Sequence, residues 1–131
     1  MTVASTASFQ PTPFLGVYGA TKAFVLHWSL ALNEELRGTG VKALAVCPGP
    51  TSTEFFIRAG LENRSQPDRF GQTSDEVAAA SLRAMAAGKS MVVSGWRNKL
   101  MTALAARVPK PLVARMAAIA ISRYRMGRVR R

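Results

Sequence analysis

The sequence predicts an α/β fold on a parallel sheet, and three observations predict it. Short apolar runs rich in Val, Ala and Leu at residues 1–9, 41–47 and 90–94 read as strands. Longer Ala- and Leu-rich stretches without internal proline separate or follow them and read as helices. Alternation of strand and helix calls for right-handed crossovers, which lay parallel strands side by side. The 131 residues suit one domain of ordinary size, and a 48% hydrophobic content is enough for a packed core.

Residues 1–9 read as the end of a strand running into a loop, and Pro11 and Pro13 stop any helix there. From Gly16 to Arg37 the chain lacks proline, and Gly38 and Gly40 supply a stop. That helix is apolar on more than one face, through Val17, Phe24, Leu26, Trp28, Leu30 and Leu32. Such a helix is covered on several sides, here by a sheet and by a second subunit. Val41 to Cys47 reads as a buried strand, ended by Pro48-Gly49-Pro50. Residues 51–73, with Gly60, Pro67 and Gly71, form a connection long enough to act as a lid. Its arginines Arg58, Arg64 and Arg69 read as solvated loop charges.

Ser74 is the expected N-cap of an alanine-rich helix reaching about Ala87, and Gly88 closes it. Ser90 to Ser94 is a short strand. Residues 95–108 and 111–126 then read as two helices, with Trp96 packed at the start of the first and Pro111 in the first turn of the second. Two or three strands make a thin sheet, and a strand apolar on both faces asks for more neighbours than this chain supplies. The division expected is residues 1–95 for the α/β body, with the lid at about 51–73, and residues 96–131 for a basic helical tail.

The charge sits almost wholly in that tail. Against a total of +11, residues 92–131 hold ten Lys and Arg and no acid. Such a tail meets anionic lipid, nucleic acid or an acidic partner, or is simply solvated. Only Tyr124 stands as an aromatic among its arginines, so a base-stacking surface is poorly supported and nucleic acid is disfavoured. An apolar face through Leu112, Val113, Met116, Ala117, Ala120 and Ile121 leaves a membrane surface open as a partner for residues 96–131. Ile119 falls between Arg115 and Ser122 and spoils a clean split.

Several classes are excluded. One cysteine, Cys47, rules out an internal disulfide and a C-x-x-C metal site, and one histidine, His27, rules out a histidine cluster. Cys47 reads as a small buried residue and His27 as a packed or half-exposed helix residue. No run reaches the roughly 18 apolar residues that span a bilayer. Met1-Thr2-Val3-Ala4 does not resemble a signal peptide, so the expected compartment is the cytoplasm.

Tyr18 and Lys22 lie four apart, one turn apart on one helix face. A cation beside a phenol favours the phenolate, which suits proton transfer. Ser5 stands where the first strand ends and Pro48-Gly49 where the next one ends. Ends of parallel strands along one sheet edge are where ligands bind.

Three segments together resemble the short-chain dehydrogenase/reductase family: Val3-Ala4-Ser5, then Tyr18-Gly19-Ala20-Thr21-Lys22-Ala23, then Cys47-Pro48-Gly49-Pro50-Thr51-Ser52-Thr53. Ala31 to Leu36 followed by Gly40-Val41-Lys42 also looks like the family. The resemblance is specific over residues 3–55 and looser to about residue 95. It implies a partial Rossmann-like parallel sheet, the C-terminal half of a doubly wound fold, with C-terminal helices. It implies an NAD- or NADP-dependent oxidoreductase acting on a carbonyl or alcohol, and a homodimer through helix 16–37. In that role Tyr18 is the general acid/base. Lys22 binds the nicotinamide ribose and favours the Tyr18 phenolate, and Ser5 holds the substrate oxygen. Pro48 and Gly49 wall the nicotinamide pocket, Thr51 offers backbone contacts, and Thr53 offers a hydroxyl. These 131 residues lack the family's Gly-rich pyrophosphate turn and its upstream asparagine, so the chain looks truncated at its start. Two other readings stay open: a non-catalytic remnant or dimerisation module, and a peripheral module binding a membrane or an acidic partner through its basic tail.

Overall fold

The computed structural model of the chain describes residues 1–51 and 71–125, with side chains as far as Ile119. Three strands, β1 (Thr2–Val3), β2 (Ala45–Cys47) and β3 (Met91–Val93), form one parallel sheet in the order β1-β2-β3. A 3-10 turn at Thr6–Phe9 and helix α1 (Gly16–Glu35) join β1 to β2. Helix α2 (Ser74–Ala86) precedes β3, and α3 (Trp96–Arg107) and α4 (Lys110–Arg125) follow it. The parallel α/β architecture is the one the sequence predicts. The expected lid lies mostly in residues 52–70, outside the described residues, together with Thr53, Arg58, Arg64 and Arg69.

Alternation along the strands sorts the core into two clusters. Ala4, Ala45, Cys47 and Val93 face α1, packing with Leu26 and the half-buried Phe9, Val25 and Leu30. Leu44 and Val46 face α2, packing with Ala84 and the half-buried Val77, Met85 and Val92. Val3 is in register with Val46 and so belongs to the α2 side, yet it is 58% exposed. Helix α2 covers β2 and β3 and stops short of β1. This is the shortage of neighbours that a strand apolar on both faces implied.

The helix ends differ from the sequence reading in two places. Thr73, not Ser74, caps α2. Its backbone is extended, which lets its hydroxyl accept from Glu76 N–H at 3.2 Å while Glu76 Oε2 accepts from Thr73 N–H at 2.9 Å. Ser74 is already helical. Gly88, at φ +66°, ends the helix as expected. Helix α1 runs to Glu35, with Leu36 as its C-cap and Arg37 in the turn beyond. Its N-terminus has no side-chain cap. Asn33 Oδ1 accepts from Ala43 N–H at 3.1 Å, tying the end of α1 to the approach to β2.

Helix α3 packs against the 3-10 turn through a face bearing Thr102 and Ala105. Lys110 Nζ donates to Phe9 O at 3.0 Å and to Ala105 O at 3.2 Å, so the start of α4 is pinned to both. Trp96 begins α3 as expected but does not pack: it is 70% exposed, with the Arg97 guanidinium 5.3 Å from its ring centre. His27 is exposed on α1 rather than packed. Among the described residues no helix is long and apolar enough to cross a membrane.

Candidate functional site

The candidate residues sit on three segments, and hydrogen bonds join those segments at one end of the sheet. Thr2 and Ala4 bond toward β2 through Leu44 O and Val46 O. Alternation then turns the Val3 carbonyl away from β2. Lys22 Nζ donates to that Val3 O at 2.9 Å, so α1 is held against β1 two residues before Ser5. One turn earlier on the same helix, the Tyr18 ring centre lies 5.8 Å from the same ammonium. The spacing of four residues therefore does what the sequence implied: phenol and cation share one face of α1.

Ser5 is buried where the chain leaves β1, and it caps the 3-10 turn. Its Oγ accepts from Ala7 N–H at 3.1 Å, and its own N–H donates to Ser8 Oγ at 3.3 Å. The Ser5 O–H donates to nothing among the described residues. The next residue, Thr6, donates its N–H to Pro48 O at 2.9 Å, which brings the Pro48-Gly49 turn beside the Ser5 segment. Cys47 closes the back of this region: burial pushes its thiol up to about 11, with a hydrogen bond from the Ser5 backbone pulling the other way. It is a protonated, fully buried side chain, as the sequence reading expected.

Thr51 continues the turn. Its hydroxyl donates to Gly49 O at 3.0 Å, and its backbone bridges in parallel to Gln72, whose N–H donates to Pro50 O at 3.1 Å. The described ends of the 51–73 connection are thereby pinned to each other next to the Pro-Gly turn.

The structure supplies a reason for Gly49 that the sequence did not reveal. A Cβ at this position would overlap the Asn98 side-chain amide, which is held by a 2.8 Å bond to Ser94 O. Helix α3 thus presses on the turn and demands glycine there. Asn98 and Lys110 carried no sequence signal, because each acts on a partner far away in the chain. Thr73-x-x-Glu76 did carry one, the capping-box spacing.

Two cavities of about 530 Å³ flank this region. One lies between the 3-10 turn, the proline loop and α1, lined by Phe9, Thr12, Gly19, Ala23 and Lys110 among others. The other lies beside β3, lined by Gln72, Arg83, Lys89, Ser94 and Lys99 among others. Ser5, Tyr18 and Lys22 line neither; their site is defined by the hydrogen-bonded junction of β1, α1 and the Pro48-Gly49 turn.

The hydroxyl, phenol and ammonium fit the nicotinamide-ribose end of a dinucleotide. Lys22 uses one of its three donors on Val3 O, leaving two for a ribose diol. A Gly-rich turn opening a helix, which would hold the pyrophosphate, is absent from these 131 residues.

A sequence profile of the short chain dehydrogenase family matches residues 1–63. Very-long-chain 3-oxoacyl-CoA reductase of Pyricularia oryzae is 51% identical over 41 residues, 31% of this chain and 12% of that protein. Sulfoacetaldehyde reductase 2 of Chromohalobacter salexigens is 43% identical over 71 residues, 53% of this chain and 28% of that protein. Among solved structures, a short-chain dehydrogenase from Sphingobium yanoikuyae in complex with NADPH superposes with a TM-score of 0.64 at 29% identity, covering 98% of this chain and 44% of that one. The chain spans less than half the length of these relatives.

Proposed function

We propose, from the premise that this chain belongs to the short-chain dehydrogenase/reductase family, that it carries the proton-transfer half of an NAD- or NADP-dependent oxidoreductase acting on a carbonyl or alcohol in the cytoplasm. One observation carries the reading: Lys22 bridges from beside Tyr18 to the strand that leads into Ser5. Tyr18 gives a proton to the carbonyl oxygen in reduction and takes it back in oxidation. Ser5 donates its O–H to the same oxygen and holds it beside the phenol. Lys22 offers its remaining donors to the ribose hydroxyls. Pro48 and Gly49 shape the wall of the nicotinamide pocket. Thr51 offers backbone contacts to the carboxamide, and Thr53 offers a hydroxyl to the cofactor. The nicotinamide, when bound, supplies or accepts the hydride. A second copy of the chain covers α1, where Val17, Phe24 and Trp28 are 81%, 70% and 49% exposed. These three point within about 40° of each other on a helix.

The test joins this chain to the N-terminal half of a related reductase and follows NADPH oxidation with a carbonyl substrate. Tyr18→Phe should lower turnover by about 100-fold or more while leaving NADPH affinity unchanged, because a positioned general acid contributes that much. The joined protein should sediment as a dimer. The 131 residues alone should bind NADPH weakly and turn over little, since their sequence holds no Gly-rich turn to anchor the pyrophosphate. Steady turnover by the bare chain, or full activity of the Tyr18→Phe protein, would overturn the reading.

A further inference from the structure

Helices α3 and α4 turn apolar stripes away from the protein. On α3, Trp96, Leu100 and Leu104 are 70%, 55% and 56% exposed. At 100° per residue they fall within about 80° of one another, about 140° or more from the centre of that stripe to the buried Thr102 and Ala105. On α4, Leu112, Met116 and Ile119 are 50%, 61% and 52% exposed and fall within about 60° of one another. Val113, Ala114, Ala117 and Ala118 lie elsewhere on that helix and are buried or half-buried. Ile119, which in sequence broke an amphipathic pattern, therefore belongs to the outward stripe. The two stripes follow one another across the short Val108-Pro109 connection.

What surrounds the stripes decides their occupant. Arg97 and Lys99 flank the α3 stripe, Arg107 continues it, and Arg115 borders the α4 stripe. From residue 92 to 131 the chain carries ten cations and no acid. A protein partner or a second copy would have to bring apolar and acidic groups in matching register. This region holds no acids of its own, so self-pairing would set cation against cation. A bilayer surface offers both complements at once, acyl chains for the stripe and anionic headgroups for the rim. The length and apolarity of the described helices forbid crossing, which leaves lying in the interface.

We propose that residues 96–119 form an interfacial anchor that lays α3 and α4 on an anionic lipid surface, leaving the Ser5–Tyr18–Lys22 end of the sheet bonded to it through Lys110. The anchor does not depend on the proposed chemistry, and its test reads no activity.

The full 131-residue chain is mixed with vesicles of phosphatidylcholine containing about 30% phosphatidylserine, and with phosphatidylcholine alone, and co-sedimentation is measured. Binding should be confined to the anionic vesicles and should weaken about tenfold or more at high salt. The variant Leu100→Ser/Leu104→Ser/Met116→Ser changes only side chains more than half exposed, so circular dichroism should be unchanged while anionic-vesicle binding falls about tenfold or more. No binding to anionic vesicles would overturn the proposal. So would equal binding to phosphatidylcholine, or a triple variant that binds as the parent does. Loss of self-association in the triple variant with vesicle binding intact would assign the stripes to a second copy instead, and would overturn it equally.

Discussion

The two faces of the sheet are built on different principles. The α2 face is set locally. Thr73 and Glu76 cap the helix reciprocally, Gly88 stops it, and Leu44, Val46 and Ala84 fill the space beneath. The α1 face is set at long range. Its helix begins at Gly16 without a side-chain cap, and its position comes from Leu26 against the sheet, Lys22 on Val3 O and Asn33 on Ala43 N–H. That face carries buried Cys47, Ser5 and Ser29, the last with an Oγ that has no hydrogen-bond partner among the described residues. The locally set face is scaffold. The face set by tertiary contacts holds the candidate site, because a site drawn from three segments cannot be fixed by any one of them.

That contrast can be broken first at Leu26. It is 3% exposed and is the main side chain α1 sends into the core. Leu26→Ala should cost about 3 kcal/mol in urea unfolding, combining lost transfer energy with the cavity left behind. A loss below about 1 kcal/mol would mean that α1 is held mainly by polar contacts.

Cys47 sharpens the contrast through pH. Its thiol is raised from 9.0 to about 11 in the fold, with burial the main cause. Below pH 9 it is protonated in folded and unfolded chains alike, and its contribution to stability is complete. Between pH 9 and 11 only the unfolded chain releases the proton, so stability falls as pH rises. At about 1.4 kcal/mol per unit, the loss across that window is about 2 to 3 kcal/mol. Urea midpoints of the parent and of Cys47→Ala across that range should diverge in slope, with the variant flatter.

The smallest expected effect lies on the other face. Thr73→Ala removes one half of the α2 capping box and should cost about 1 kcal/mol. Thermal unfolding should register it, and Thr73→Ser should recover most of it. An effect as large as that of Leu26→Ala would show α2 to be more than scaffold.

Much of the candidate site was legible because its spacing is local. Tyr18 and Lys22 share a helix face by periodicity alone, and the 5.8 Å separation of ring and ammonium follows from it. The strand ends at Ser5 and Pro48 were legible from apolar runs stopped by turn residues. Ser74 reads as the cap from sequence, but its neighbour Thr73 is a good capping residue too. Only the backbone, extended at Thr73, distinguishes them.

The sequence by itself determined the order and type of the elements, the parallel sheet and the placement of charge in the C-terminal arm. Each of these follows from periodicity, from turn residues or from composition, which act over a few neighbouring residues. Only the tertiary structure decided that Gly49 answers to Asn98, that Lys110 pins the arm to Phe9, and that Ile119 joins an outward stripe. Those facts depend on which surfaces meet across long stretches of chain. Side-chain contacts between distant segments exist only once the chain has closed its loops, and no local pattern encodes them.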